Sequence, residues 1–319
     1  MESRKIIKFG NSSHVISLPK DWMKKIGLNK GDTLYLNDLG NGELIVGSSD
    51  VKKEKQNQYS IDFPLNSDCE DKIQREIFHA YINNFKIIKI SGPGVRNNAL
   101  KIRDFIQGLS GLEIFKQTPN EIVAHDLLDV SEISLSQMMR RIDIICRSMM
   151  RDTIDSIIDK KEDYNNIYKR DDDLNRLVYL SYKLIKNAFN NPSFAKKMDV
   201  THTDLTDYKV VAQNLERLAD QCKRISRDLS RAELNKKDKR LLKELYLTIE
   251  QDYLRVIKAY YNKDREMAHK VIDSVYSIVD RFDSLIPKVS SHNSILIIEK
   301  LRISEVCIRQ IGRVILKIA

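Results

Sequence analysis

Residues 204–229 read DLTDYKVVAQNLERLADQCKRISRDL. Apolar side chains recur at Leu205, Tyr208, Val211, Leu215, Leu218, Cys222, Ile225 and Leu229. That spacing of three or four residues is the stripe an α-helix turns toward a core. No glycine or proline interrupts the run, and the remaining positions are rich in charge, so the opposite face belongs in water.

The same period continues on both sides and predicts six helices, at about 134–159, 163–190, 204–232, 237–262, 264–286 and 291–317. KKED, NNPS with Thr201-His202-Thr203-Asp204, ELNKKD, YNKD and IPKVSSHNS mark the breaks. Six long helices joined by short turns predict a pair of three-helix bundles, about 134–232 and 237–317, within a helical domain over 131–319. Their lengths suggest an internal duplication. Glycine marks where this region begins. Ten of the eleven glycines lie between Gly10 and Gly111, and the next is Gly312.

Ahead of the helices the chain changes character. RKIIKF, HVISLP, TLYLND and ELIVGS are strand candidates within residues 1–50, and PKDWMKKIGL reads as a short helix that Gly27 ends. Gly40-Asn41-Gly42, within Asn37–Gly42, signals a hairpin turn. Trp22 and Ile26 are candidate core. Fifty such residues bury too little apolar surface alone, so an interlocked homodimer is expected. The polar run 51–58 reads as a linker. YSIDF, KIIKI, LEIFKQ and EIVAHDLL then alternate with helical stretches near 68–84 and 95–109, a small α+β domain over 51–130. The chain is therefore multidomain and mainly α.

No apolar run approaches the roughly 18 residues of a membrane span, and MESRKIIKFG has no export-signal core. Cys69, Cys146, Cys222 and Cys307 lie far apart, without CxxC or zinc spacing, which fits buried thiols in a reducing, cytoplasmic setting. The net charge of +9 favours a polyanionic partner. Within residues 1–30 stand Arg4, Lys5, Lys8, Lys20, Lys24, Lys25 and Lys30 against Glu2 and Asp21.

RKIIKFGNSSHVISLPKDWMKKIGLNKGDTLYL resembles the SpoVT/AbrB swapped-hairpin family over residues 4–47. The anchors are the basic first strand, Gly10-Asn11-Ser12, Ser17-Leu18-Pro19-Lys20 and Gly27-Leu28 before Lys30-Gly31-Asp32. The resemblance implies half of an intertwined β-barrel whose basic face sits on double-stranded DNA. It assigns DNA contacts to Arg4, Lys8, Asn11, Ser12, Ser13, His14 and Lys20. Lysine and arginine would neutralise phosphate there, while Asn, Ser and His hydrogen-bond to phosphates or base edges. A head that only dimerises remains the alternative.

Two acidic runs stand out in the helices. Arg170-Asp171-Asp172-Asp173-Leu174-Asn175-Arg176-Leu177 and Asn214-Leu215-Glu216-Arg217-Leu218-Ala219-Asp220-Gln221-Cys222 each set polar oxygens four residues apart, on one helix face. They are either a solvated face paired with Arg170, Arg176 and Arg217, or an oxygen-rich cation site. Arg176 and Arg217 adjoin the motifs in sequence and so point about 100° away, which leaves a bound cation as the better compensator. The runs resemble the paired acidic motifs of the PhoU family of phosphate-uptake regulators, over roughly 134–317. That resemblance implies two three-helix bundles and a metal ion (Mg, Mn, Fe or Zn, divalent or trivalent) on Asp171, Asn175, Glu216 and Asp220. The second bundle departs from the pattern. Aligning Cys307 with Cys222 puts Glu305 at the Asp220 position but Leu301 at the Glu216 position, so no second full site is expected.

Ser91-Gly92-Pro93-Gly94 lacks the residues of a phosphate loop and reads as a βα turn. With no nucleophile–base pair and no cofactor loop, neither an enzyme nor an organic cofactor is expected. The order AbrB-like head, α+β domain and PhoU-like helices resembles archaeal regulators of phosphate uptake, and the DNA-binding head suggests direct action on promoters. The alternative is an adaptor that dimerises through its head and docks a phosphate transporter ATPase.

Overall fold

The structure, a computed structural model, describes residues 3–38, 44–47, 58–64, 70–159, 164–231 and 234–317. The chain divides into two units, Met1–Gln56 and Asn57–Ala319.

In the first unit β1 (Ile7–Phe9) pairs antiparallel with β2 (Ser13–Val15), and β3 (Tyr35–Asp38) with β4 (Leu44–Gly47). Between them lies α1 (Lys20–Lys25). Gly27, at φ +72°, turns the chain out of α1, where Leu28 N–H returns to Met23 C=O. All four strand candidates therefore form strands. The expected turn falls mostly outside the described residues, as does the 51–58 linker apart from Gln58. No residue of α1 is buried: Trp22 is half-covered and Ile26 exposed, so they build no core within one chain. Each hairpin is a separate two-stranded sheet; the described residues of one chain close no barrel.

The second unit opens with a four-stranded sheet. Its strands are β5 (Gln58–Asp62), β6 (Ile87–Ser91), β7 (Leu112–Thr118) and β8 (Glu121–Asp126), in the order β5-β6-β8-β7. The β5–β6 pair is parallel and the other two are antiparallel. A parallel neighbour needs a crossover, and α2 (Glu70–Ile82) supplies it. The second helix, α3 (Val95–Gln107), precedes the β7–β8 hairpin. Phe63, Ile77, Tyr81, Ile88, Ile90 and Ile106 fill this domain's own core. Gly92 stands at φ +132°, and a Cβ there would come within 2.3 Å of the Phe63 carbonyl oxygen. Gly92 and Gly94 N–H donate to the carbonyls of Asn120 and Phe63. The turn is a packing joint, and these amides do not cradle phosphate.

The helical region comprises α4 (Leu135–Asp159), α5 (Tyr164–Asn190), α6 (Pro192–Lys197), α7 (His202–Arg231), α8 (Lys236–Asn262), α9 (Arg265–Asp273), α10 (Val275–Leu285) and α11 (His292–Lys317). Its boundaries follow the caps. Asn235 and Asp264 side chains accept the N–H groups of Asp238 and Met267. Thr201 and Asp204 cap each other reciprocally at α7. The expected single helix 264–286 breaks at Ser274, whose hydroxyl donates to Val271 C=O and competes with the helical pattern. The NNPS break holds the short α6, opened by Asn191 and Pro192. One apolar core runs through both three-helix groups, from Cys146 and Leu215 to Tyr246 and Leu301. Cys146, Cys222 and Cys307 are free and buried. Among the described residues no helix is long and apolar enough to cross a membrane.

The α+β domain is tied to the helices by a buried charge. Lys183 on α5 is fully buried, and its Nζ lies 2.7 Å from Asp126 Oδ1 at the end of β8 and 4.3 Å from the centre of the Tyr81 ring. Burial lowers its pKa, and Asp126 opposes that fall. Phe78 and Tyr179 pack edge to face at the same joint. Lys183→Met leaves Asp126 buried with Lys86, 3.5 Å away, as its one remaining ion-pair partner among the described residues. The expected loss is about 3 kcal/mol, and Lys183→Met with Asp126→Leu should recover most of it. Urea denaturation of the two variants measures both effects.

Candidate nucleic-acid interface and acidic cluster

The β1–β2 register decides which head residues share a face. Lys8 stands opposite His14, Phe9 opposite Ser13 and Ile7 opposite Val15. Alternation therefore sets Lys8 and His14 on one face, with Ile7, Phe9, Ser13 and Val15 on the other. Gly10, at φ +68°, opens a three-residue turn that carries Asn11 and Ser12 at its tip. Arg4, Lys8, Asn11, Ser12, Ser13, His14 and Lys20 are all exposed. The hairpin gathers Lys8, Asn11, Ser12 and His14. Ser13 shares the Phe9 face, and Lys20 belongs to α1.

The head also exposes what a core would take in. Ile7 is 58% exposed, Phe9 69% and Ile6 72%, and Val15 and Ile16 are open as well. Ile7, Phe9 and Val15 make one face apolar, and on the other Lys8 and His14 are flanked by Ile6 and Ile16, so the hairpin exposes apolar surface that needs cover.

In the helical half the four acidic-motif residues come from two packed helices, Asp171 and Asn175 from α5 and Glu216 and Asp220 from α7. Asp171 is buried. Its Oδ2 lies 2.5 Å from Lys223 Nζ and accepts Asn175 Nδ2 at 3.2 Å. The same ammonium stands 3.2 Å from Asp220 Oδ1, while Arg224 Nε meets Asp220 Oδ2 at 2.7 Å. Asp171 Oδ1 and Asn175 Oδ1 are buried without hydrogen-bond partners. Burial pushes Asp171 up in pKa, against the pull of Lys223. Burial also raises Glu216, with Asp220 and Asp171 adding to the shift. Arg170 turns to Asp152 and Ser148 on α4. Asp172, Asp173 and Arg176 line a cleft toward Asp104 and Phe105 of α3.

The partners of Asp171 and Asp220 are Lys223 and Arg224 rather than the arginines inside each motif. The available signal was their spacing: three and four residues beyond Asp220 put them on its face. A metal ion has to meet this arrangement. The oxygen donors are of the right kind, and two of them are unsatisfied. Yet Asp171 and Asp220 already share an ammonium, and a divalent ion on those oxygens would be repelled by it. Among the described residues no group of three or more His, Cys, Asp or Glu is placed to hold a metal. As folded, with Lys223 seated, the set does not fit a resident metal ion.

In the second three-helix group Leu301 lies in the apolar core. Glu305 is buried with neither carboxylate oxygen hydrogen-bonded, and its pKa is pushed up to about 7, first by burial and then by Asp252, against Arg309.

Two family comparisons locate these regions. Residues 139–229, which span most of α4 and α7 and all of α5, match the PhoU domain. Residues 7–58 match the family described as antidote-toxin recognition MazE, bacterial antitoxin. Neither a curated protein nor a solved structure matches the chain.

Glu305 sets a pH dependence. Its folded pKa of about 7 lies above the ordinary 4.5, so between those values the folded state holds a proton that the unfolded chain has released. Its contribution is full below pH 4.5 and is lost as pH rises through 7. Glu305→Gln should remove this fall, which is on the order of 3 kcal/mol. Urea midpoints of wild type and variant, compared on either side of that window, measure it.

Proposed function

The chain carries a PhoU domain behind an AbrB/MazE-like domain, and on that premise we propose a cytoplasmic, DNA-binding transcriptional regulator of phosphate homeostasis. The two domains fit a regulator of phosphate homeostasis with a DNA-binding-type head, and both belong to regulatory rather than catalytic families. The finer reading rests on one observation. The β1–β2 hairpin gathers exposed Lys8 and His14 on one face, with Asn11 and Ser12 at the tip, while its other face is apolar and uncovered.

In this reading a second copy of the chain covers Ile7, Phe9 and Val15. The homodimer then presents two basic hairpins to duplex DNA. Lys8 and Arg4 contact phosphates and set most of the affinity, while Asn11, Ser12 and His14 supply hydrogen bonds at the tip. The helical half carries the phosphate signal.

Arg4→Ala with Lys8→Ala is expected to weaken DNA binding. It should also flatten the dependence of log K on log salt by about 0.9 for each phosphate no longer neutralised. Filter binding or fluorescence anisotropy across a salt series reads both quantities. Unchanged affinity and slope would contradict DNA binding by this face and favour the adaptor reading. Light scattering of the full chain should give a dimer at micromolar concentration, and Phe9→Asp should shift it to monomer. A wild-type monomer would remove the paired geometry on which the proposal depends.

A further inference from the structure

We propose that the Lys223 ammonium is the resident cation of the α5–α7 acid cluster, in the place where a metal ion would otherwise sit. The inference is independent of the DNA-binding reading. Its basis is geometry and charge balance. Lys223 Nζ touches one carboxylate from each helix, Asp171 at 2.5 Å and Asp220 at 3.2 Å, and so joins α5 to α7 as a bridging cation would. Its face toward Tyr168 is also favourable for a cation, with that ring centre 5.8 Å away. Asp220 has a second counter-charge in Arg224. Two carboxylates, Asp171 and Asp220, thus face two tethered cations, and that pair is balanced before any ion arrives. Glu216, one helical turn before Asp220 on α7, is the further carboxylate of the set.

The oxygens left over explain what Lys223 holds back. Asp171 is buried, and its Oδ1 has no hydrogen-bond partner; Asn175 Oδ1 beside it is in the same state. With Asp220 and Glu216 they are a hard-cation donor set whose centre the ammonium fills. A tethered group competes at an effective concentration on the order of millimolar or more. A divalent ion has to displace this tethered ammonium, and the proposal requires that millimolar free ions do not. Removing the ammonium while keeping its length and apolar stem should open a cation site that the wild-type chain lacks.

The test uses the full chain, treated with chelator and then melted with and without millimolar MnCl2. Wild type is expected to hold no stoichiometric metal on elemental analysis and to melt at the same temperature in both conditions. Lys223→Met should melt lower without manganese, because two acids lose their partner. It should recover with manganese, with at least about a tenfold tighter affinity than wild type by calorimetry. Asp171→Asn with Lys223→Met, which removes the buried carboxylate as well, should fold and ignore manganese. A wild-type protein that carries stoichiometric metal, or gains melting temperature with manganese, overturns the proposal. So does a Lys223→Met protein that melts like wild type and ignores manganese. If Lys223→Met does not fold without the ion, the wild-type metal content and melt decide.

Discussion

A carboxylate buried among helices must be neutralised where it stands, because the charged form loses its water and gains little from distant charges. Much of this fold's polar interior follows from that constraint. Asp126 is met by Lys183, Asp143 by a two-pronged Arg147 and the Tyr253 hydroxyl, and Asp171 by Lys223. Asp238 has its carboxylate at the Ser290 and Ser291 amides, the Ser294 hydroxyl and its own N–H-capped turn, which fixes the start of α11 against the start of α8. Glu305 has no such hydrogen bond and shifts its pKa instead. The contacts of Asp126, Asp143, Asp171 and Asp238 each link two different elements. Lys183 matters most for the architecture, since it is the buried bridge between the α+β sheet and α5.

The head obeys a different constraint. It has two short hairpins and a six-residue helix, and none of its described residues is buried. Apolar surface of this extent in so few residues needs cover, which on the proposed reading a second copy supplies. The proposed association and nucleic-acid binding would both use this one hairpin, because the side chains alternate between its faces. Lys8 and His14 stay outside for the same geometric reason that Phe9 and Val15 require cover.

Much of the fold was legible in the sequence, and the exceptions have physical causes. Periodicity and caps place five of the six helices within two residues of their ends, since Asn235, Thr201 and Asp204 act through contacts local in sequence. At the break the Ser274 hydroxyl donates to Val271 C=O, a local bond that no apolar pattern records. Trp22 and Ile26 look like core because they are large and apolar, yet their burial depends on what a single chain does not supply. The acidic motifs stand out as a pattern, but the partner of Asp171 lies 52 residues away on another helix. Helical spacing identifies Lys223 as a neighbour of Asp220, and only the packing of α5 on α7 brings it to Asp171.

The proposed function divides the work between a head that would meet a polyanion and a helical body whose buried carboxylates Asp126, Asp143 and Asp171 have partners of their own. The claim that joins them is that this chain acts on DNA in response to phosphate status. Genome-wide occupancy of the full-length protein, compared in phosphate-replete and phosphate-starved cells, tests it most directly. The account predicts discrete bound sites at promoters, including those of phosphate-uptake genes, with occupancy that changes between the two conditions. An absence of enriched sites in both conditions would contradict it.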